Sequence, residues 1–112
     1  MKKINIVKNN REFNNIINTG NKFKSDIFTI CMLKNEFNYN RYGIAISKKI
    51  GNAVVRNKYK RQIKDIIDDI KITICCYDII FIAKSNIKTN NYQLIKEDII
   101  KFFNKIGEKN EK

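Results

Sequence analysis

Residues 48–64 have the sequence KKIGNAVVRNKYKRQIK, which carries seven positive charges and no negative charge. After Gly51, apolar residues recur three or four positions apart, at Val55, Tyr59, Ile63, Ile66 and Ile70. This spacing predicts an amphipathic helix, because residues three and four apart share one helix face. Arg56, Lys60 and Lys64 are also four apart and form a second row beside the apolar stripe. The segment therefore predicts a helix with one buried face and one row of cations.

Patterns typical of helices and strands alternate along the rest of the chain. The other predicted segments are a helix at residues 9–18, strands at 26–33 and 41–47, a buried strand at 78–83 and a final helix at 89–106. Residues 72–76 fit either the end of the basic helix or a short extended piece. With the basic helix included, the order is αββαβα. It predicts an α+β fold, a single-domain α–β sandwich of residues 1–112 with helices against one small central sheet.

Two further helices have predicted apolar faces. In the first, Phe13, Ile16 and Ile17 share a face, and Asn9 or Asn10 is placed to cap the helix start. In the last, the inner face consists of Tyr92, Ile95, Ile99, Phe102, Phe103 and Ile106. Both faces are expected to pack on other elements of the fold, because an apolar stripe is stable only when it is covered.

The charge of the chain is unevenly distributed. Residues 1–64 contain 15 Lys and Arg but three Asp and Glu, whereas residues 65–112 contain eight of each kind. The whole net charge of +12 therefore lies in the first part of the chain. A one-sided positive field of this kind is typical of proteins that bind nucleic acid.

Composition also excludes several classes of protein. No apolar run reaches the roughly 18–20 residues that cross a bilayer, and no long apolar stretch follows the basic start of the chain, so we expect a cytoplasmic protein without a signal peptide. Histidine is absent, which excludes mixed Cys/His zinc sites. The three cysteines, Cys31, Cys75 and Cys76, do not suggest a disulfide framework, and we expect them to be buried, reduced small hydrophobes.

The predicted cationic row suits recognition of a polyanion. Each phosphate that a cation neutralises releases counterions, which gives affinity and a steep dependence on salt. Arg56 and Arg61 can grip phosphate with a planar fork, whereas Lys60 and Lys64 act as point charges. The early backbone N–H groups of a helix that starts after Gly51 add a further candidate anion site.

Residues 46–61, ISKKIGNAVVRNKYKR, resemble the signature segment of the bacterial ribonuclease P protein subunit. That family carries a Ser-Lys-Lys-x-Gly-Asn-Ala-Val-x-Arg-Asn-Arg-x-Lys-Arg pattern, and the chain also agrees with it in length and element order. The resemblance implies an RNA-binding component of a ribonucleoprotein endonuclease that removes the 5′ leader of precursor tRNA. The implied partners are a catalytic RNA and precursor tRNA, with neither a membrane nor another protein. The implied cofactor is magnesium, held mainly by the RNA, so that no residue of this chain is catalytic or ligates metal.

The resemblance also assigns site residues and one feature of topology. The residues implied to bind RNA are Lys48, Lys49, Arg56, Asn57, Lys58, Lys60, Arg61 and Lys64. A cleft between the first helix and the sheet takes the single-stranded leader in the family, and the matching positions are Phe13, Ile17 and Cys31. This chain departs from the pattern at Lys58, where the family usually has arginine, and at Ile17 and Cys31, where aromatic residues occur. The family fold also has an unusual left-handed βαβ crossover.

Three other functions compete with this interpretation. A protein-only nuclease would need carboxylates that hold magnesium, and the candidates are Asp65, Asp68 and Asp69, which could instead pair with Arg61 and Lys64 one turn away. A ribosomal or general RNA-binding protein would share the basic charge and the fold. A DNA-binding helix-turn-helix is less favoured, because no short helix-turn-helix unit precedes the basic helix.

Overall fold

A mixed four-stranded sheet separates two layers of helix in the computed structural model, which describes residues 1–110. The elements are α1 (Asn10–Thr19), β1 (Asn21–Lys24), β2 (Phe28–Lys34), β3 (Arg41–Ala45), α2 (Ala53–Asp69), β4 (Tyr77–Ala83) and α3 (Tyr92–Asn110). Short 3-10 turns lie at Lys3–Asn5 and Ser85–Thr89. The strand order is β1-β2-β4-β3, with β3 and β4 parallel and the other pairs antiparallel. The predicted α+β fold class is confirmed.

The two faces of the sheet carry separate apolar clusters, because successive side chains of a strand point to opposite sides. On one face, residues such as Ile30 and Phe81 pack against α2 and α3 and form the main core. On the other face, Cys31 and Ile80 pack beneath Ile16 of α1 in a smaller cluster. The cationic helix and the first helix therefore lie on opposite faces of the sheet.

The β3–α2–β4 unit crosses over with left-handed geometry. The Val7 N–H donates to the Tyr42 carbonyl over 2.9 Å, so the main chain of Tyr42 points away from β4. The Tyr42 side chain lies in the core cluster that includes the buried face of α2. Consider β3 running upward and viewed from the side on which the Tyr42 side chain lies. For an L residue seen in this way, the N–H and C=O groups point to the right. Since these groups of Tyr42 point away from β4, β4 lies on the left. In this view α2 lies in front of the sheet and leads from β3 to β4 on its left. The connection is therefore left-handed, as the family resemblance implies.

The predicted helices are confirmed, with one change at the start of α3. Asn9 caps α1 by accepting from Arg11 N at 2.8 Å, and Asn52 caps α2 by accepting from Val55 N at 3.0 Å. The last helix starts at Tyr92 and not at residue 89, because residues 85–89 form a 3-10 turn and the Asn91 side chain accepts from the Leu94 N–H at 2.9 Å. Tyr92 is 37% exposed, so its assignment to the inner face is wrong.

The sheet contains a strand that the sequence pattern did not indicate. β1 spans four residues, three of them polar, and only Phe23 points toward the main core. It pairs with β2 at the edge of the sheet, where one partner strand is enough to hold it. The chain order is therefore αβββαβα, with the predicted elements otherwise in place. A run this short and polar has no apolar periodicity to reveal it.

The expectation for the cysteines is correct for Cys31 and wrong for the other two. Cys31 is fully buried, whereas Cys75 is exposed, Cys76 is half-buried and a disulfide joins these two adjacent residues. Residues 71–75 are irregular, so they neither continue α2 nor form a strand. They connect α2 to β4, and the Ile74 side chain packs into the main core while the adjacent Cys75 stays exposed. Within residues 1–110, no helix has the length and hydropathy needed to traverse a bilayer.

Candidate nucleic-acid interface

A tight turn presents two lysines directly before α2. Ile50 N–H donates to the Ser47 carbonyl at 3.0 Å, and Lys49 N–H donates to the Ser47 hydroxyl at 3.1 Å. Lys48 and Lys49 are both exposed on this turn. A Cβ at Gly51 would lie 2.8 Å from the Val55 side chain, so this position suits glycine where the turn meets the helix. The turn and α2 together form one continuous cationic surface.

The cations of α2 are accessible and have no acidic partner among the described residues. Arg61, Asn57 and Lys58 are exposed, while Arg56, Lys60 and Lys64 are half-buried along the flank of the helix. The Arg56 Nε donates to the Gly51 carbonyl at 3.2 Å, which orients its guanidinium beside the helix start. Among residues 1–107, whose side chains the structure describes, none of the seven cations from Lys48 to Lys64 forms an ion pair. Their charge is therefore available to a partner.

Two of the three acids at the end of α2 pair with other groups, and the pairing with Arg61 and Lys64 that the sequence allowed is not formed among the described residues. Asp68 accepts from the Met1 ammonium at 2.6 Å, and Asp69 accepts from the Lys96 Nζ at 2.6 Å. The hydrogen bond from Lys96 lowers the pKa of the Asp69 carboxyl, and the same bond raises the pKa of Lys96. Asp65 is exposed, and its side chain makes neither a hydrogen bond nor an ion pair with the described residues. The cationic row is not neutralised by its own helix.

Lys58 lies on the flank of α2 opposite Lys60 but beside Arg61, which is three residues further along and about 60° away around the helix axis. At 3.6 residues per turn, Lys58 points about 160° away from Lys60 around the helix axis. Its Nζ lies 5.9 Å from the centroid of the Tyr59 ring, on the side of α2 that faces the start of α3. The structure thus brings together Lys48, Lys49, Arg56, Asn57, Lys60, Arg61 and Lys64. Lys58 adjoins Arg61 on the outer side of α2 and also faces the start of α3.

The second candidate surface lies between α1 and the opposite face of the sheet. Phe13 and Ile17 are half-buried and pack on the cluster around Ile80. The Phe13 ring lies directly over Gly43 of β3, where an added Cβ would be 2.6 Å from the ring atom Cε2. The absence of a side chain at this position allows the aromatic ring to approach the strand closely. Ile82, on the neighbouring β4, is half-buried in the same cluster.

Cys31 does not belong to the accessible part of this cleft. It has no exposed surface and lies in the floor, packed with Val7, Ile16 and Ile80. Burial raises the pKa of its thiol, and the nearby Lys22 ammonium partly offsets this effect. Its assignment as a leader-contacting residue is therefore corrected, since the first helix and the adjoining strands cover it in this structure.

Sequence reasoning missed two cations near this cleft. Lys22 and Lys24 of β1 are exposed, and strand alternation puts them on the sheet face that α1 covers, with Lys22 paired in register to Cys31. The signal was the alternation of Lys22, Phe23 and Lys24, which indicates a strand with two cations on one side. It was overlooked because four residues between two turns are too few for a strand prediction.

The described carboxylates do not converge on one point. Within residues 1–107, no three or more Cys, Asp or Glu side chains lie close enough together to hold a metal ion. Asp65, Asp68 and Asp69, the candidates for a protein-held magnesium, either face solvent or accept from ammonium groups. Magnesium bound by Asp65 together with Asp68 or Asp69 would have to displace an existing ion pair.

Residues 1–107 match the sequence profile of the protein family described as Ribonuclease P. The ribonuclease P protein component of Mesoplasma florum is 42% identical over 103 residues, which cover 90% of this chain and 94% of that protein. The corresponding protein of Clostridium botulinum strain 657 is 34% identical over 110 residues, covering 94% and 96%. The RNase P protein of Staphylococcus aureus, solved at 2.0 Å, superposes with a TM-score of 0.81 at 34% identity and covers 92% of this chain and 94% of its own.

The fold and the similarity to these relatives together define a protein component of a tRNA-processing ribonucleoprotein nuclease. The chain belongs to the ribonuclease P protein family. The resemblance on residues 46–61 is thereby extended to nearly the whole chain.

Proposed function

We propose that this chain binds the catalytic RNA of ribonuclease P through the cations of α2 and of the turn before it. The same chain holds the 5′ leader of precursor tRNA in the cleft between α1 and the sheet. The RNA performs the magnesium-dependent cut that removes the leader. The observation that carries the proposal is the row of α2 cations, which is accessible and free of acidic partners among the described residues.

The free cations support RNA binding on energetic grounds. A cation already paired within the protein must break that pair before it meets a phosphate, whereas these side chains meet it directly. The Asn52 cap and the buried Ile63 and Ile66 fix α2 on the core, so the cations are displayed on a rigid element. Pre-ordering of this kind lowers the entropy cost of binding.

The leader cleft is supported by its apolar wall and its flanking charge. The half-buried Phe13 ring offers a surface on which a base can stack, at roughly 1–3 kcal/mol per base. Ile17 adds apolar contact but no aromatic ring, so base stacking in this cleft depends on Phe13. Lys22 and Lys24 lie on the same face of the sheet and suit the phosphates of a single strand.

The distribution of carboxylates supports magnesium held by the RNA. Asp68 and Asp69 each already accept from an ammonium group. A divalent ion usually requires several oxygen ligands at one point. The catalytic metal is therefore assigned to RNA phosphates, and this chain contributes affinity and orientation without a catalytic group.

Reconstitution tests the proposal. Purified chain is added to the cognate catalytic RNA, and leader removal from precursor tRNA is measured at low magnesium concentration. We expect faster leader removal than with RNA alone, because the cations reduce repulsion between the two RNA molecules. Cleavage by the protein without RNA would overturn the assignment of chemistry to the RNA. Co-purification of ribosomal RNA without a precursor-tRNA-cleaving RNA would favour a general RNA-binding protein.

A further inference from the structure

A groove of about 410 Å³ lies where α2 faces the 3-10 turn and the start of α3. We call it the α2/α3 groove, and define it by Lys58, Tyr59, Gln62, Lys88, Asn91 and Tyr92. It is not part of the cation row that begins at Arg56, since Lys58 points to the other flank of α2. The volume falls in the range of about 300–1,000 Å³ that is typical of small-ligand sites.

The lining of the groove combines the groups that a nucleotide requires. Two aromatic rings, those of Tyr59 and Tyr92, offer faces or edges to a base, and two ammonium groups, of Lys58 and Lys88, offer charge to a phosphate. The Gln62 amide makes no hydrogen bond with the described residues and can both donate and accept. Among the described residues, the lining contains two lysines and no acid, so its formal charge is positive.

The α3 side of the groove is held by its own hydrogen bonds. Thr89 Oγ1 and Asn90 Nδ2 both donate to the Asn86 carbonyl, at 2.9 and 2.8 Å. Asn91 Oδ1 accepts from the Leu94 N–H at 2.9 Å and caps the helix. These bonds fix the backbone between Lys88 and Tyr92. The exposed Tyr92 ring is thus placed on a rigid helix start and not on a loose loop.

We propose that the α2/α3 groove binds one unpaired nucleotide of the RNA that docks on α2. The base stacks on Tyr92, Gln62 bonds to the base edge, and Lys58 and Lys88 contact the flanking phosphates. This inference rests on the proposed function, because the groove adjoins the cationic helix. It adds that the RNA at this position is unpaired, since a base must be out of its pair and its stack to enter a groove, which costs least in a single-stranded segment.

The natural lack of tryptophan provides a direct test. The Tyr92→Trp variant carries one tryptophan, whose fluorescence is quenched when a nucleobase stacks on the indole. Leu94→Trp is the matched control, because Leu94 is 45% exposed two residues further along α3 and does not line the groove. We expect the cognate catalytic RNA to quench the fluorescence of Tyr92→Trp strongly and that of Leu94→Trp little. Equal quenching of both variants, or quenching of neither while RNA binds, would overturn the groove site.

Affinity gives an independent readout. Tyr92→Leu removes the ring and should weaken binding of the catalytic RNA about tenfold, whereas Tyr92→Phe keeps the ring and most of the affinity. Leu94→Ala should bind as the natural chain does. Far-ultraviolet circular dichroism of each variant shows that α3 is intact. Unchanged affinity of Tyr92→Leu overturns the groove site alone, while failure of the unmodified chain to bind the RNA overturns the proposed function as well.

Discussion

Arg41 and Asp78 are register partners on the parallel strands β3 and β4, and two hydrogen bonds join their side chains. Arg41 Nε donates to Asp78 Oδ1 at 2.8 Å and Nη2 donates to Oδ2 at 2.7 Å. The same guanidinium donates to Glu12 Oε2 of α1 at 2.7 Å, and Asn35 Nδ2 donates to Asp78 Oδ1 at 2.9 Å. The pair therefore connects α1 to both strands at one end of the cleft that is proposed to take the leader.

Replacing Arg41 with alanine should destabilise the fold by about 3–5 kcal/mol, because it leaves the Asp78 carboxylate buried without its cation. The hydrogen bonds from Arg41 to Asp78 raise the pKa of the guanidinium further, so it stays charged throughout the accessible pH range. The free energy of unfolding in urea measures the effect.

The control for this prediction is Lys96→Ala, which breaks the exposed pair with Asp69 and should change stability little. Arg41→Lys keeps the charge but loses the two-point geometry, so it should fall between the natural chain and Arg41→Ala. If Arg41→Ala unfolds at the same urea concentration as Lys96→Ala, the network does not stabilise the fold as argued.

The sequence predicts α2 well but does not predict the hydrogen-bond network around Arg41 and Asp78. The spacing of Val55, Tyr59 and Ile63 is local, so it predicted the helix, its buried side and its cationic row from the sequence alone. The Arg41–Asp78 pair depends on the register of strands that are 37 residues apart, which no local pattern specifies. The sequence therefore predicted the cationic surface of the candidate site but not the long-range contacts that stabilise the fold.

The same dependence on contacts between distant residues explains the other differences between the sequence predictions and the structure. Tyr92 fitted the apolar stripe of α3, yet the preceding 3-10 turn delays the helix start and leaves the ring exposed. Cys31 matched a cleft position in the family, but its burial depends on how α1 packs on the sheet, which the sequence does not specify. The handedness of the crossover likewise came only from resemblance, because general rules favour the opposite hand.

Arg61→Ala should weaken binding of the catalytic RNA and reduce the slope of log affinity against log salt by about one unit. Arg61 is exposed on the outer side of α2 and has no acidic partner among the described residues, so its loss removes one phosphate contact without disturbing the core. Fluorescence anisotropy of labelled RNA over a range of salt concentrations measures the slope.

Lys101→Ala is the matched control, since Lys101 is an exposed cation on α3 away from α2 and the turn before it. It lowers the net charge by the same amount and should leave the slope nearly unchanged. Equal slopes for the two variants would mean that general charge attraction, and not contact through α2, accounts for the binding.

Gly43→Ala should weaken recognition of the leader without weakening the contact with the catalytic RNA. The added methyl would lie 2.6 Å from Cε2 of Phe13 and 3.2 Å from Cγ1 of Ile80, so the ring must move off β3. The measurement compares affinity of the reconstituted enzyme for precursor tRNA with its affinity for mature tRNA, which has no leader. We expect a loss of several-fold that is confined to the precursor.

Phe13→Leu supplies the companion variant, because it removes the stacking surface while keeping an apolar side chain against the sheet. It should reproduce the selective loss seen for Gly43→Ala. Full affinity for the precursor in both variants would show that Phe13 serves only the core cluster around Ile80. Equal losses for precursor and mature tRNA would instead indicate a general distortion of the fold.

The free energy of unfolding should decrease as the pH rises above about 8.5, the ordinary pKa of a thiol. Burial raises the pKa of the Cys31 thiol and of the Tyr42 phenol in the folded state. Above the ordinary pKa, the unfolded chain loses the proton while the folded chain keeps it, which favours unfolding. The effect of Cys31 starts first, and that of Tyr42 follows near pH 10.

Urea unfolding of the natural chain and of Cys31→Ala between about pH 7 and pH 10.5 isolates the thiol. The variant loses some stability at every pH because the side chain is smaller, but its stability should fall less steeply above about pH 8.5. Cys75 and Cys76 do not contribute, since they are joined as a disulfide. Parallel curves for the two chains would mean that Cys31 titrates alike in the folded and unfolded states, which full burial under α1 does not allow.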